Sequence, residues 1–291
     1  MTTAGQEQPR IRVLYDESRR DLREPERPRP VRLYLWEPRT PVATPAPAPL
    51  IAVSHGTGGS GSDMDWLVRP LREAGFRVAA LDHHGNNFVD GYEPEGFLHV
   101  WERPRDVSFA LDALAQEGPL GPVGAAGFSL GAYTAAALAG ARVSPEALWA
   151  VFTGAVPLPE TPEFPGVLEA LRAKYPQDEA SRHAVDGAGA DLSDRRVRAV
   201  FQVAPGSGGL VTPESLASVQ VPVEIRWGGA DTVNPYETDT RPYLEHIPGA
   251  SGHSAGPGVR HDDFFAAEPA DPAVRFRVGG EAADFFRRRL T

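Results

Sequence analysis

Gly127-Phe128-Ser129-Leu130-Gly131 lies between the apolar run VGAA and the alanine-rich stretch AYTAAALAG. A serine flanked by glycines at a strand-to-helix turn can be pushed out above a sheet as a nucleophile, because the turn is strained and the two elements must pass close together. With 30 glycines in the chain, a chance G-x-S-x-G in a surface turn is the competing explanation. The small Ala132, Ala135 and Ala136, which would let the helix close on the strand, weigh against it. Serine is a weak nucleophile at its free pKa, so this chemistry needs a histidine base and an orienting acid, in the chain order Ser, Asp or Glu, His.

The acid is read at Asp231, in a loop right after the apolar run VEIRWG and shortly before Pro235. A turn or N-cap aspartate is its bland alternative. The loop after the preceding run, VRAVFQV, holds no aspartate, and Glu214 there reads as an early-helix residue. Three histidines compete as base. His246 sits inside the helical PYLEHIPG and reads as a partly exposed helix residue; His253 lies in the glycine-rich GASGHSAG; His261 lies in VRHDDFF. The distance from Asp231 to His261 leaves room for a helix and one more strand before the base returns to the site, so His261 is preferred and His253 kept as the alternative.

The stretch IAVSHGTGGSGSDMDWL admits two chemistries. Gly56, Gly58 and Gly61 fit G-x-G-x-x-G, with Asp82 about twenty residues beyond, as in a dinucleotide clamp. Against that, Asp63 and Asp65 would face a pyrophosphate with like charge at the helix start, and two strands precede the loop. The same glycines suit an oxyanion loop, in which the backbone N–H groups of Thr57 and Leu130 point at the oxygen that becomes negative in a tetrahedral intermediate. Asp82, His83 and His84 raise a metal question, but neighbouring side chains on a strand end diverge, so a loop at the pocket mouth is expected, with no metal and no cofactor. Trp66, Trp101 and Tyr92 read as acyl-pocket lining or, more commonly, core and rim filler.

The elements that must position these groups follow from periodicity. RIRVLYDESRR and RPVRLYLWEP alternate apolar and charged residues, as two half-exposed antiparallel strands at a sheet edge would. TPVATPAPAPL reads as a stiff surface connector. Beyond it, LIAVS, FRVAAL, VGAAG, VRAVFQV and VEIRWG are short continuous apolar runs separated by helical patterns, the mark of buried parallel strands with crossover helices. Pro70 is expected to kink the first helix or sit in its first turn. Residues from about 143 to 196 break the alternation and read as a helical cap or lid insertion, or as padding. GGEAADFFRRRL reads as a closing amphipathic helix with its basic end where the dipole favours it.

The totals suit a single α/β domain of 291 residues. The net charge of −10, without a basic stripe, argues against nucleic acid or an anionic membrane as partner. With no cysteine, disulfides, thiolate metal sites and a cysteine nucleophile are excluded. The polar N-terminus and the absence of a long apolar run make a cytoplasmic location the expectation.

SHGTGGS, GFSLGAYTA, GGADTVNP and RHDDFF, in this order, resemble an α/β-hydrolase. ALDHHGNN and WERPRDVSFALDAL are similar to the dienelactone hydrolase-like and platelet-activating-factor acetylhydrolase-like serine esterases. That resemblance, from about residue 10 to the C-terminus, implies a mostly parallel central sheet with antiparallel N-terminal strands and helices on both faces. It also implies Ser129 as nucleophile, His261 as base, Asp231 as orienting acid, and Thr57 and Leu130 amides as the oxyanion hole of a cofactor-free esterase acting on a small ester. The chain departs from dienelactone hydrolase proper, whose nucleophile is a cysteine. Acyl transfer, lactone or amide cleavage with the same triad, or a catalytically inactive binding protein on this fold, are the alternatives.

Overall fold

Two strands of alternating charged and apolar residues open the chain, β1 (Arg10–Arg20) and β2 (Pro28–Trp36), paired antiparallel. The computed structural model describes residues 8–39, 47–157, 161–265, 269–271 and 273–291; most of the proline-rich connector lies outside them. β3 (Leu50–Ser54), α1 (Asp65–Glu73) and β4 (Arg77–Asp82) follow. Next come a small hairpin of β5 (Asn86–Asn87) and β6 (Gly91–Tyr92), the short α2 (Pro94–Leu98), α3 (Glu102–Glu117), β7 (Val123–Phe128) and α4 (Leu130–Ala137). Three helices, α5 (Pro145–Thr153), α6 (Val167–Lys174) and α7 (Glu179–Asp186), precede β8 (Val197–Val203), α8 (Pro213–Ala217), β9 (Val223–Gly228), α9 (Arg241–His246), β10 (Ser251–Gly256) and α10 (Ala273–Leu290).

Eight strands form one sheet in the order β1-β2-β4-β3-β7-β8-β9-β10. The six from β4 to β10 are parallel, and β2 joins them antiparallel through β4. Parallel strands covered on both faces must be apolar throughout, and β3 and β7 are buried along their whole length. Successive side chains point to opposite faces, so Leu50 and Ala52 enter one core while Ile51 and Val53 enter the other. α1 and α10 pack together over the second core, which holds Phe76, Phe285 and Phe286. Residues from α3, α4, α8 and α9 fill the first.

Two expectations change. The two opening strands do form an antiparallel pair at one edge of the sheet, but β2 is not half-exposed: it is hydrogen-bonded on both sides, by β1 and β4, and its last four residues are buried. The true edges are β1 and β10, and β10 is largely exposed, so its serine and glycine content meets little burial demand. Of the two places expected for Pro70, the first turn is overturned: Pro70 lies inside α1, which starts at Asp65. Between 143 and 196, α5, α6 and α7 bury Leu148, Phe152, Val167, Leu171 and Val185 in the first core, and α6 packs on α2. Among the described residues no helix is long and apolar enough to cross a membrane.

Two adjacent glycines in α10 separate packing from propensity. A Cβ on Gly279 would come 2.4 Å from the Trp66 carbonyl of α1, whereas one on Gly280 would meet nothing within 4 Å. Gly279→Ala is therefore expected to cost about 1–3 kcal/mol by overpacking. Gly280→Ala should gain roughly 0.5–1 kcal/mol from helix propensity alone. Paired denaturant melts check the opposite signs; equal shifts would mean that α10 does not press on α1 here.

Candidate active site

Ser129 occupies the turn between β7 and α4 with φ 54° and ψ −121°, one of three non-glycine residues at positive φ among those described. The turn closes because its flanks are glycine: a Cβ on Gly127 would lie 2.0 Å from the Gly131 carbonyl, and one on Gly131 would lie 2.0 Å from the Ser54 carbonyl. The Ser129 amide donates to Val203 O at 2.9 Å, and its carbonyl accepts from the Gly206 amide at 3.2 Å. The backbone at Ser129 is thus pinned to the end of β8 and to the loop that follows it.

His261 opens a 3₁₀ turn, His261–Phe264, beyond β10. Its Nε2 lies 3.2 Å from Ser129 Oγ and its Nδ1 lies 2.8 Å from Asp231 Oδ2. A carboxylate only accepts, so Nδ1 carries the hydrogen and Nε2 keeps the lone pair that the serine hydroxyl meets. Asp231 Oδ1 accepts from the amides of Val233 and Asn234 at 2.9 and 2.8 Å, which orients the carboxylate. Phe128 lies over the imidazole with ring centroids 4.8 Å apart. His246 ends α9 exposed, and His253, on the outer strand β10, faces Glu281 at 3.4 Å. Neither of these approaches Ser129.

The glycine-rich loop runs beside this group, since a Cβ on Gly56 would come 3.2 Å from Ser129 Cβ. Leu130 is the first residue of α4, where an amide has no intrahelical acceptor, and Thr57 follows Gly56 on the loop. The next amide, Gly58, is taken by Asn86 Oδ1 at 2.8 Å, and the Gly58 carbonyl accepts from Tyr92 OH at 2.9 Å. Gly58 sits at φ 66°, which glycine adopts without strain.

Asp82 is not free to hold a ribose. Buried at the end of β4, it accepts from the Gly61 amide and Ser60 Oγ, both at 2.7 Å, through Oδ1, and from Tyr34 OH at 2.8 Å through Oδ2. The G-x-G-x-x-G spacing is therefore a turn fastened to the sheet. Nor do the residues after Asp82 line a pocket mouth: His83, His84, Asn86 and Asn87 are all buried. Among the described residues no group of three His, Asp or Glu could hold a metal ion. Trp66 and Trp101 are buried in the two cores, while Tyr92, in β6, is half-buried against the glycine-rich loop.

Sequence reasoning missed the support behind the loop. Arg103, fully buried in α3, donates to the His55 carbonyl, to Asn86 Oδ1 at 3.3 Å and to Thr134 Oγ1 at 3.1 Å; Thr134 in turn donates to the Leu130 carbonyl at 3.1 Å. One guanidinium so ties the glycine-rich loop to the helix that follows Ser129. Burial, opposed by nearby Asp106, lowers its pKa to about 9. One turn on, Asp106 takes Arg19 at 2.7 Å, Arg29 at 2.8 Å and His83 Nδ1 at 3.1 Å. Burial alone would raise this carboxyl, yet Arg29 and Arg19 hold it well below the usual range. His83, pushed down to about 3 by burial and Arg103, stays neutral and reaches Ser54 Oγ at 3.3 Å. The only local signal was the charged R-P-R-D on a helix face, which resembles a solvated face.

No protein-family model and no curated protein sequence matches the chain. Solved structures do match along its whole length. A ferulic acid esterase from Streptomyces cinnamoneus aligns with 99% of this chain and 92% of its own, at 18% identity and a TM-score of 0.60. A dienelactone hydrolase from Anabaena variabilis covers 98% and 100%, at 16% identity and 0.58. The chain has the α/β-hydrolase fold. A cold-adapted esterase from an Arctic intertidal metagenomic library likewise covers 100% of both chains, at 17% identity and a TM-score of 0.55. On this α/β-hydrolase scaffold, the Ser129, His261 and Asp231 group lies on loops at the carboxyl ends of the parallel strands β7, β9 and β10.

Acid should act on this region first through its buried histidines. The folded protein keeps His83 neutral down to about pH 3, whereas the unfolded chain takes up a proton below about 6.5. That contribution is complete above pH 6.5 and lost as pH falls towards 3. Burial shifts His55, His84 and His99 in the same direction. Urea melts between pH 7.5 and 4.5 should show stability falling with pH, less steeply in His83→Gln. A variant with the wild-type slope would assign the acid sensitivity elsewhere.

Proposed function

We propose that the protein hydrolyses carboxylic esters through an acyl-enzyme on Ser129. The observation that carries this reading is the continuous chain Asp231–His261–Ser129 at hydrogen-bond distances, beside a glycine-rich loop. Ser129 Oγ bonds to the acyl carbon as its proton passes to His261 Nε2, and the carbonyl electron pair moves onto oxygen, where the Thr57 and Leu130 amides meet it. The intermediate collapses as the alkoxide leaves with the proton from His261. Water then repeats the attack on the acyl carbon, with His261 as base, and Oγ departs reprotonated. Asp231 holds the imidazole tautomer and stabilises its charged form. No cofactor enters these steps.

Two surroundings bear on the substrate. Burial first, then Glu163 and Asp63, raise the pKa of Tyr92 beside the loop, and Glu163 carbons pack on Gly58. Phe265, 57% exposed, stands 6.1 Å from the His261 ring. A neutral ester with an apolar group suits this mouth better than an anionic one. Residues from about 143 to 196 serve in this reading as a cap, since Glu163 reaches the loop and Phe164 packs edge-on against Phe97.

Ser129→Ala and His261→Ala should each lower turnover of p-nitrophenyl butyrate by roughly 10⁴-fold or more while the protein stays folded. His253→Ala should remain near wild type, and a p-nitrophenyl ester bearing a free carboxylate should be a poorer substrate. Wild-type protein without esterase activity, or an active Ser129→Ala variant, would overturn the proposal. Product analysis with competing alcohols separates hydrolysis from acyl transfer.

A further inference from the structure

The loop that carries Asp231 sends a second side chain to the nucleophile. Asn234 Nδ2 donates to Ser129 Oγ at 3.3 Å and to the Ala204 carbonyl at 2.8 Å. A carbonyl oxygen only accepts, so the Ala204 contact fixes which end of the amide is NH₂, and both hydrogens of that group have acceptors. The Asn234 backbone amide meanwhile donates to Asp231 Oδ1 at 2.8 Å. One residue therefore touches the orienting acid and the reacting oxygen.

The backbone around it is shaped to that end. Ala204 lies at φ 44°, a left-handed conformation that an L-residue avoids, and its carbonyl is the one that holds the Asn234 amide. Its own amide is anchored to Arg226 O at 2.7 Å. At Gly206 a Cβ would press to 3.1 Å from Asn234 Nδ2, and the Gly206 carbonyl is tied to Tyr243 OH at 3.0 Å. The strained loop after β8 thus holds the amide that reaches Ser129.

Resting on the serine-hydrolase reading above, the geometry points to Asn234 as a fourth catalytic residue, donating a hydrogen bond to Ser129 Oγ. The hydroxyl gives its one hydrogen to His261 Nε2, and the Asn234 N–H takes a lone pair, which fixes the rotamer in which the remaining lone pair faces the acyl carbon. As the proton moves to His261 and the Oγ–carbon bond forms, negative charge passes through Oγ, and a donor there is stronger than in the resting hydroxyl. The same N–H serves deacylation, when the Oγ–carbon bond breaks, the electron pair returns to Oγ and His261 returns the proton. Oxyanion amides act on the carbonyl oxygen; Asn234 acts on the oxygen of the nucleophile.

The test measures chemistry at Oγ separately from folding. In the full-length protein, Asn234→Ala should lower the rate constant of fluorophosphonate labelling, and kcat for p-nitrophenyl butyrate, by about ten- to hundredfold. KM should change little. Asn234→Asp, close in size but with oxygens facing two acceptors, should be impaired at least as much at pH 7, and it decides the matter if the alanine variant fails to fold. Wild-type labelling and kcat in a folded variant, with or without a lowered Tm, would overturn the inference and leave Asn234 a brace for Ala204. Wild-type protein that neither labels nor turns over ester would instead sink the hydrolase reading, and this inference with it.

Discussion

Ser129 holds a backbone conformation that costs an L-residue on the order of 1–3 kcal/mol, and the site is built around keeping it there. Relaxing φ to the ordinary helical or extended region would rotate Oγ away from His261 and break the bonds to Val203 and Gly206. What prevents this is steric as much as bonded. β3, β7 and α4 approach so closely at Gly127 and Gly131 that no side chain fits, and the buried Ala132, Ala135 and Ala136 carry the same contact along the helix. A parallel sheet then brings the partners in, because the loops leaving β9 and β10 emerge at the same edge as the turn leaving β7.

A second constraint is charge placed where water is absent. Among the described residues no carboxylate is bonded to the buried Arg103, and its donors go to a carbonyl, a hydroxyl and an amide oxygen. Such burial is costly unless each N–H is matched. The matching groups belong to the glycine-rich loop, the Asn86 support and α4, so any displacement of the loop leaves a buried cation underbonded. Asp106, held between Arg19 and Arg29, fixes the helix that carries Arg103 to β1 and β2. The antiparallel strands that open the chain are in this way connected to the loop beside Ser129.

The glycine-rich loop also shows how one spacing serves different ends. Three glycines and a distant aspartate match a dinucleotide clamp in one dimension. In three, the aspartate is consumed by Gly61, Ser60 and Tyr34, and the loop turns past the serine. Buried hydrogen bonding withholds Asp82 from the clamp, and no count of residues along the chain could have shown that.

Residue types and periodicity by themselves determined the alternation of parallel strands and helices, the turn at Ser129, and Asp231 with either His261 or His253 as residues able to complete a base and acid pair. Those features rest on local rules: apolar runs for doubly covered strands, glycines where a turn is tight, an acid in the loop after a buried strand. The burial of β2, the solvent-facing position of His253, the buried DHHGNN segment, the Arg103 clamp and the reach of Asn234 to Ser129 came only with the tertiary structure. Each depends on partners far along the chain, and a charged or amide side chain carries no local mark of whether it meets water or a neighbour in the core. Strand order supplied those partners, since it alone brings the loops of residues 129, 204, 231 and 261 to one edge of the sheet.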